Sequence, residues 1–218
     1  MVQAIMKKEM PKPTIERLCL IYGFLEDLLE SGKKATSSVE IGEMLGIGAH
    51  SVRKDINFLG EIGNTKQGYE VEKLKNAIGE TLGLEKPRNT CIVGLGKLGT
   101  AILNNLTISD GKYRIMAGFD SNINKVETMK APVDLYPAYE MENIIKQKQI
   151  ELAILSVSAD AAQETAENLI ESGIKGIVNF APVVIHSPRP DVSIRNLDIT
   201  GELRLLSAYI ETKTGVVE

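Results

Sequence analysis

Thr90-Cys91-Ile92-Val93-Gly94-Leu95-Gly96-Lys97-Leu98-Gly99 is the stretch that decides the fold. A short apolar run leads into three glycines spaced G-x-G-x-x-G, and Phe119-Asp120 closes a second apolar run about twenty residues later. That order reads as strand, tight turn, helix N-terminus, and a second strand ending in an acid. Each position has a physical task. Gly94 permits the turn, Gly96 lets the backbone approach a pyrophosphate, and Gly99 brings helix and strand together. The amides at the helix start, Lys97 and Leu98, face the phosphate charge, while the Lys97 side chain points to solvent. Asp120 is placed for ribose hydroxyls, and its charge would repel a 2′-phosphate, so the motif favours NAD(H) over NADP(H).

Downstream, apolar runs alternate with helical periodicity. Strands are expected at Thr90–Gly94, Arg114–Asp120, Pro132–Leu135, Glu151–Val157, Gly176–Phe180 and near Val192–Leu197, with helices in the intervals, notably Leu98–Leu106, Glu140–Lys148 and Ala161–Glu171. This predicts an α/β Rossmann domain, a doubly wound parallel sheet, over residues 85–198. Ser156-Val157-Ser158 and Phe180-Ala181-Pro182 end strands on the edge that lines the ligand crevice. They are candidates for the nicotinamide side, with Phe180 as a wall. Arg114 and Lys125 are possible phosphate contacts. Residues 199–218 read as a C-terminal helix and tail whose Ile199, Leu203, Leu206 and Ile210 form one stripe. That stripe either covers its own sheet or packs on a second subunit.

Almost ninety residues precede this domain and do not look like part of a dehydrogenase. Residues 1–13 read as a flexible arm, and residues 14–84 as a winged helix-turn-helix. Ile15, Leu18, Tyr22, Leu25 and Leu29 mark one helix face. Ser37 or Ser38 caps a short second helix, and Gly46-Ile47-Gly48 breaks the chain, with small Gly42 allowing close helix approach. A third helix runs from Ala49 to Leu59. Its start carries His50, Ser51, Arg53 and Lys54, where a recognition helix meets the major groove. With Ser38 on the second helix and Lys66 and Gln67 at a hairpin tip, these are the candidate DNA contacts. Lys33, Lys34, Arg53, Lys54 and Lys66 offer five phosphate-facing cations, ten in a dimer, for which the slope of log K against log salt would be at most about −9.

The totals constrain rather than identify. The 218 residues carry 25 Lys+Arg against 29 Asp+Glu, and the first 86 carry 12 against 13, so any DNA-binding face is a local patch. Cys19, on the first helix's apolar stripe, and Cys91, at the head of a strand, read as buried thiols in a cytoplasmic chain. No signal peptide or membrane span is visible, and the histidines and cysteines lack zinc-ligand spacing, so no metal site is expected. His186 is the one histidine near the crevice, and no second domain remains to build a substrate pocket. The catalytic outfit of an oxidoreductase is therefore missing. A small NAD-dependent oxidoreductase with an N-terminal oligomerisation module is the alternative from another class, and a CoA-binding domain is a third.

Ser51-Val52-Arg53-Lys54-Asp55, Phe58-Leu59-Gly60-Glu61-Ile62-Gly63, Gly68-Tyr69, Gly94–Gly99, Asn179-Phe180-Ala181-Pro182 and Asn196-Leu197-Asp198, in that order, resemble the Rex family of redox-sensing transcriptional repressors. The resemblance implies a non-catalytic homodimer with swapped C-terminal helices that binds operator DNA with NAD+ or no ligand and releases it with NADH. It further implies a redox-dependent contact between a first-helix arginine and a C-terminal aspartate, carried over to Arg17 and Asp198. Three positions depart from the family pattern. Asn105 stands where a tyrosine often partners that aspartate, Ser51 stands where a glutamine is usual, and Ile62 replaces a phenylalanine.

Overall fold

The computed structural model describes residues 10–60, 62, 68–104 and 111–214. The chain separates at Lys86/Pro87 into two compact units. In the first, α1 (Lys12–Glu30) begins two residues before the expected Thr14, because Pro13 sits in the first helical turn, where a missing N–H costs nothing. Its buried face is Thr14, Leu18, Ile21, Tyr22 and Leu25. Ile15 lies at the edge of that face, 37% exposed. Cys19 is exposed, not buried as expected. It follows Leu18 by one residue, and one residue is about 100° of helical rotation.

Two short helices, α2 (Ser38–Leu45) and α3 (Ala49–Ile56), form the helix-turn-helix. Ser37 is the N-cap, its Oγ accepting from the Glu40 N–H at 3.1 Å. Gly46 ends α2 in the left-handed region at φ 66°. Gly42 allows the close approach, since a Cβ there would lie 2.4 Å from the Ile47 carbonyl oxygen. Helix α3 stops at Ile56, and Asn57–Leu59 tightens into a 3-10 turn instead of extending it. Strand β1 (Ala35–Thr36) pairs antiparallel with β2 (Tyr69–Glu70), and α4 (Val71–Leu82) completes the unit. Leu18, Ile21, Leu25, Ile41, Val52, Ile56, Leu74 and Ile78 form its core. Ile62 is buried in this core.

The second unit is a six-stranded, wholly parallel sheet: β3 (Arg88–Val93), β4 (Tyr113–Asp120), β5 (Leu135–Pro137), β6 (Leu152–Leu155), β7 (Gly176–Asn179) and β8 (Ser193–Asn196). The spatial order is β5-β4-β3-β6-β7-β8. The chain winds outward from β3 to β5 and returns to β6 on the other side of β3, so the switch point lies between β3 and β6. The expected strand at Pro132–Leu135 is displaced to Leu135–Pro137, because the ladder begins where Leu135 meets Gly118. Helices α7 (Met141–Gln147) and α8 (Ala159–Glu171) cover the face bearing Cys91, Val93, Ala153 and Leu155. Helix α5 (Lys97–Asn104) and short α6 (Ile123–Thr128) lie between the strands on either side of β4, and Leu103 of α5 packs with Ile92, Ile115 and Ile154 on the opposite face. Residues 180–192, between β7 and β8, hold no helix, unlike the other crossovers.

The Cys91 thiol is fully enclosed, and burial pushes its pKa up to about 12. Helix α9 (Ile199–Thr214) does not cover its own sheet: Ile199, Leu203, Leu206 and Ile210 are all exposed, from 55% to 66%. No helix among the described residues is long and apolar enough to cross a membrane.

Candidate functional sites

The C-terminal ends of β3, β4 and β6 open into a crevice of about 530 Å³. Gly94 turns at φ 90°, and a Cβ there would strike the Ser156 carbonyl at 2.6 Å. Gly96 faces open space with nothing within 4 Å, which is the clearance a pyrophosphate needs. Gly99 is pressed on the turn, since a Cβ would come within 2.0 Å of the Gly94 oxygen and 2.6 Å of Ser156 Oγ. Gly94 thus makes the turn and Gly99 the close packing that their spacing implies, and Gly96 leaves the backbone open. Lys97 and Leu98, at the start of α5, are exposed.

Asp120 closes the crevice at the end of β4 and is 8% exposed. Its Oδ2 accepts from the Leu95 N–H at 2.8 Å and from Lys125 Nζ at 2.9 Å, and its Oδ1 accepts from the Asn122 N–H at 2.8 Å. Burial pushes the Asp120 carboxyl up. The Lys125 ammonium and the two amides outweigh that and hold it below the ordinary aspartate value. The carboxylate therefore builds the strand-end turn and also faces the ligand space.

Ser156, Val157 and Ser158 line the crevice as expected, and Ser156 Oγ donates to the Gly94 oxygen at 2.7 Å. Phe180 does not. By strand alternation it shares the α5 face with Val178, and it lines a separate apolar cavity with Ile115 and Ile154. The expected nicotinamide wall is corrected accordingly. Ala181 is buried and Pro182 exposed. Their turn is held by Asn179, which is fully buried, accepts from the Ala181 N–H and donates to the Val183 oxygen and Asn196 Oδ1. Sequence reasoning missed the far wall: Ser121, Tyr139, and Glu164, Thr165 and Asn168 of α8. The signal was there, because the last three form a polar stripe flanking the buried stripe Ala162, Ala166 and Leu169.

In the first unit, His50 and Lys54 are exposed on α3, with Ser51 and Arg53 half-buried beside them. Ser38 is 8% exposed, and its Oγ accepts from Arg53 Nη1 at 2.8 Å. Little of Ser38 is therefore exposed, and its hydroxyl is engaged by Arg53. Lys33 is paired with Glu40, which reduces the count of uncommitted cations and with it the expected salt slope. Lys66 and Gln67 lie outside the described residues.

The geometry of both sites agrees with the comparisons. A family model described as a CoA binding domain matches residues 85–183, and one described as a putative DNA-binding protein N-terminus matches residues 9–57. The redox-sensing transcriptional repressor Rex 1 of Thermotoga maritima is 39% identical over 206 residues, covering 94% of this chain and 98% of that protein. The chain belongs to the Rex family of redox-sensing transcriptional repressors. Rex of Listeria welshimeri is 34% identical over 203 residues, 93% of this chain and 94% of its own length. Among solved structures, RSP, a Rex-family repressor, in complex with β-NAD+ and operator DNA matches with a TM-score of 0.83 at 31% identity, over 97% of this chain and 100% of that one. RSP with β-NADH matches with a TM-score of 0.81 at 32% identity, over 94% and 96%.

Arg17, carried over from the Rex resemblance, has a partner within its own unit. Arg17 grips Asp55 with two hydrogen bonds, Nε at 2.6 Å and Nη2 at 2.8 Å, and the Asp55 side chain is fully buried. This fork fastens α1 to α3. Asp198 stands at the root of α9 with Arg204 at 3.8 Å. Asn105 lies outside the described residues.

Proposed function

We propose that this chain is a repressor that binds operator DNA as a homodimer and lets go when NADH occupies its crevice. It thereby reads the NADH/NAD+ ratio without catalysis. The pyrophosphate rests on Gly94, Gly96 and the amides of Lys97 and Leu98, with Gly99 packing α5 beneath it. The adenosine ribose meets Asp120, and Ser156, Val157 and Ser158 border the nicotinamide half. His50, Ser51, Arg53 and Lys54 face the DNA. The observation that carries the reading is the open backbone at Gly96 beside the ionised Asp120, in the same chain as an exposed recognition helix. The names of the relatives and the ligands of RSP point the same way.

The exposed α9 stripe and the apolar cavity on the α5 face, lined by Ile115, Ile154, Val178 and Phe180, support a dimer that covers both. Against an oxidoreductase, His186 lies outside the crevice lining. The matching CoA model gives the CoA reading some support, and against it stand the names of the relatives and the nucleotides bound by RSP.

Arg53→Ala separates the two tasks. It should weaken operator binding by an order of magnitude or more while leaving NADH binding unchanged, measured by DNA and nucleotide titrations of the same preparation. Equal loss of both would overturn the division of labour. Displacement of NADH by CoA at similar concentrations would favour the CoA reading instead.

A further inference from the structure

The Asp120 carboxylate that should reject a 2′-phosphate does not stand alone, because Lys125 places its ammonium 2.9 Å from Oδ2. The lysine is held there from both ends. Its backbone N–H donates to the Asn122 cap of α6 at 3.2 Å, and its side chain, 35% exposed, reaches back over the strand end. Its Nζ is therefore within one side-chain swing of any group attached to the ribose that Asp120 holds.

We infer that Lys125 is a specificity-determining residue for the dinucleotide: it offsets the charge of Asp120 and gives a 2′-phosphate a cation to meet. This inference rests on the proposed NAD(H) reading of the crevice. The physical argument is local. A bare carboxylate and a 2′-phosphate brought within several ångströms repel strongly in a partly buried site, whereas an ion pair presents almost no net charge and keeps a mobile cation available. With NADH the ammonium stays on the carboxylate. With NADPH it rotates onto the phosphate, and Asp120 keeps its two backbone donors, Leu95 and Asn122.

The test is a pair of titrations, NADH and NADPH, followed by nicotinamide fluorescence on the full chain and its Lys125→Gln and Lys125→Arg variants, with melting temperatures as a check on folding. Lys125→Gln should weaken NADPH about tenfold more than NADH, and added salt should shrink that difference. Lys125→Arg should restore NADPH binding toward the unaltered value. Equal weakening of both nucleotides by Lys125→Gln, or no change in either, would overturn the inference and reduce Lys125 to a strand-end tie. Failure of the unaltered protein to bind NADH is a different result, and it would overturn the reading of the crevice itself.

Discussion

At the scale of single residues, one ion pair with a buried carboxylate and one part-exposed three-residue cluster set how the units respond to mutation and pH. Arg17 is about one-third exposed, but its partner Asp55 is not exposed at all. Removing the arginine strands a charge in the core, so Arg17→Ala should cost about 3 kcal/mol, read from urea unfolding. Unchanged stability with loss of the NADH response would instead restore Arg17 to a signalling role. In the second unit, Glu151 is bracketed by Lys175 at 2.6 Å and Arg88 at 2.8 Å, tying the starts of β3, β6 and β7. Lys175 and then Arg88 hold its carboxyl down to about 2, from an ordinary value of 4.5. A depressed folded-state value means the stabilisation is fully present above the unfolded pKa and disappears as pH falls through the folded one. The gap in melting temperature between the protein and Glu151→Gln should therefore be flat above about pH 5 and close toward pH 2. A gap unchanged by acid would contradict the assignment.

At the scale of elements, the glycine turn was legible because its constraints are backbone constraints, and backbone constraints leave few residue choices. Gly94, Gly96 and Gly99 each do what their spacing requires. Gly99→Ala should force α5 off the β3 and β6 turns, abolishing NADH binding while operator binding persists. Titration of both ligands checks this, and retained NADH affinity would show that the close contact is dispensable. The helix-turn-helix was legible for the same reason, through Gly42 and Gly46. Side-chain direction was less so. Phe180 was assigned to the crevice from its place at a strand end, but alternation along β7 sends it to the other face. Cys19 was misplaced because a helical stripe excludes a residue only one position away. Ser38 is a candidate from its place beside the motif and Arg17 from the Rex resemblance; only geometry shows Ser38 bonded to Arg53 and Arg17 to Asp55. The crevice wall from α8 shows in the sequence only as a polar stripe; that the stripe lies beside the glycine turn follows from the sheet order.

At the scale of the whole molecule, the account requires a dimer with two arrangements and a ligand that prefers one of them. Shifting such an equilibrium from 1:99 to 99:1 needs about 5.5 kcal/mol of differential binding, or about 2.75 from each of two sites. NAD+ and NADH differ by one charge and the shape of one ring, so the nicotinamide half of the crevice must supply that difference. On the proposed reading, the adenosine half, with Asp120 and Lys125, meets the same groups in both nucleotides. Binding must also be read at stated salt, because it depends on a few local cations in a chain of net charge −4. The most direct measurement is affinity for a palindromic operator, selected from random sequence, with NAD+ and then with NADH at about 150 mM salt. The account predicts tight binding with NAD+ or no nucleotide and release with NADH. Tight binding indifferent to both nucleotides, or no DNA binding at all, would contradict it.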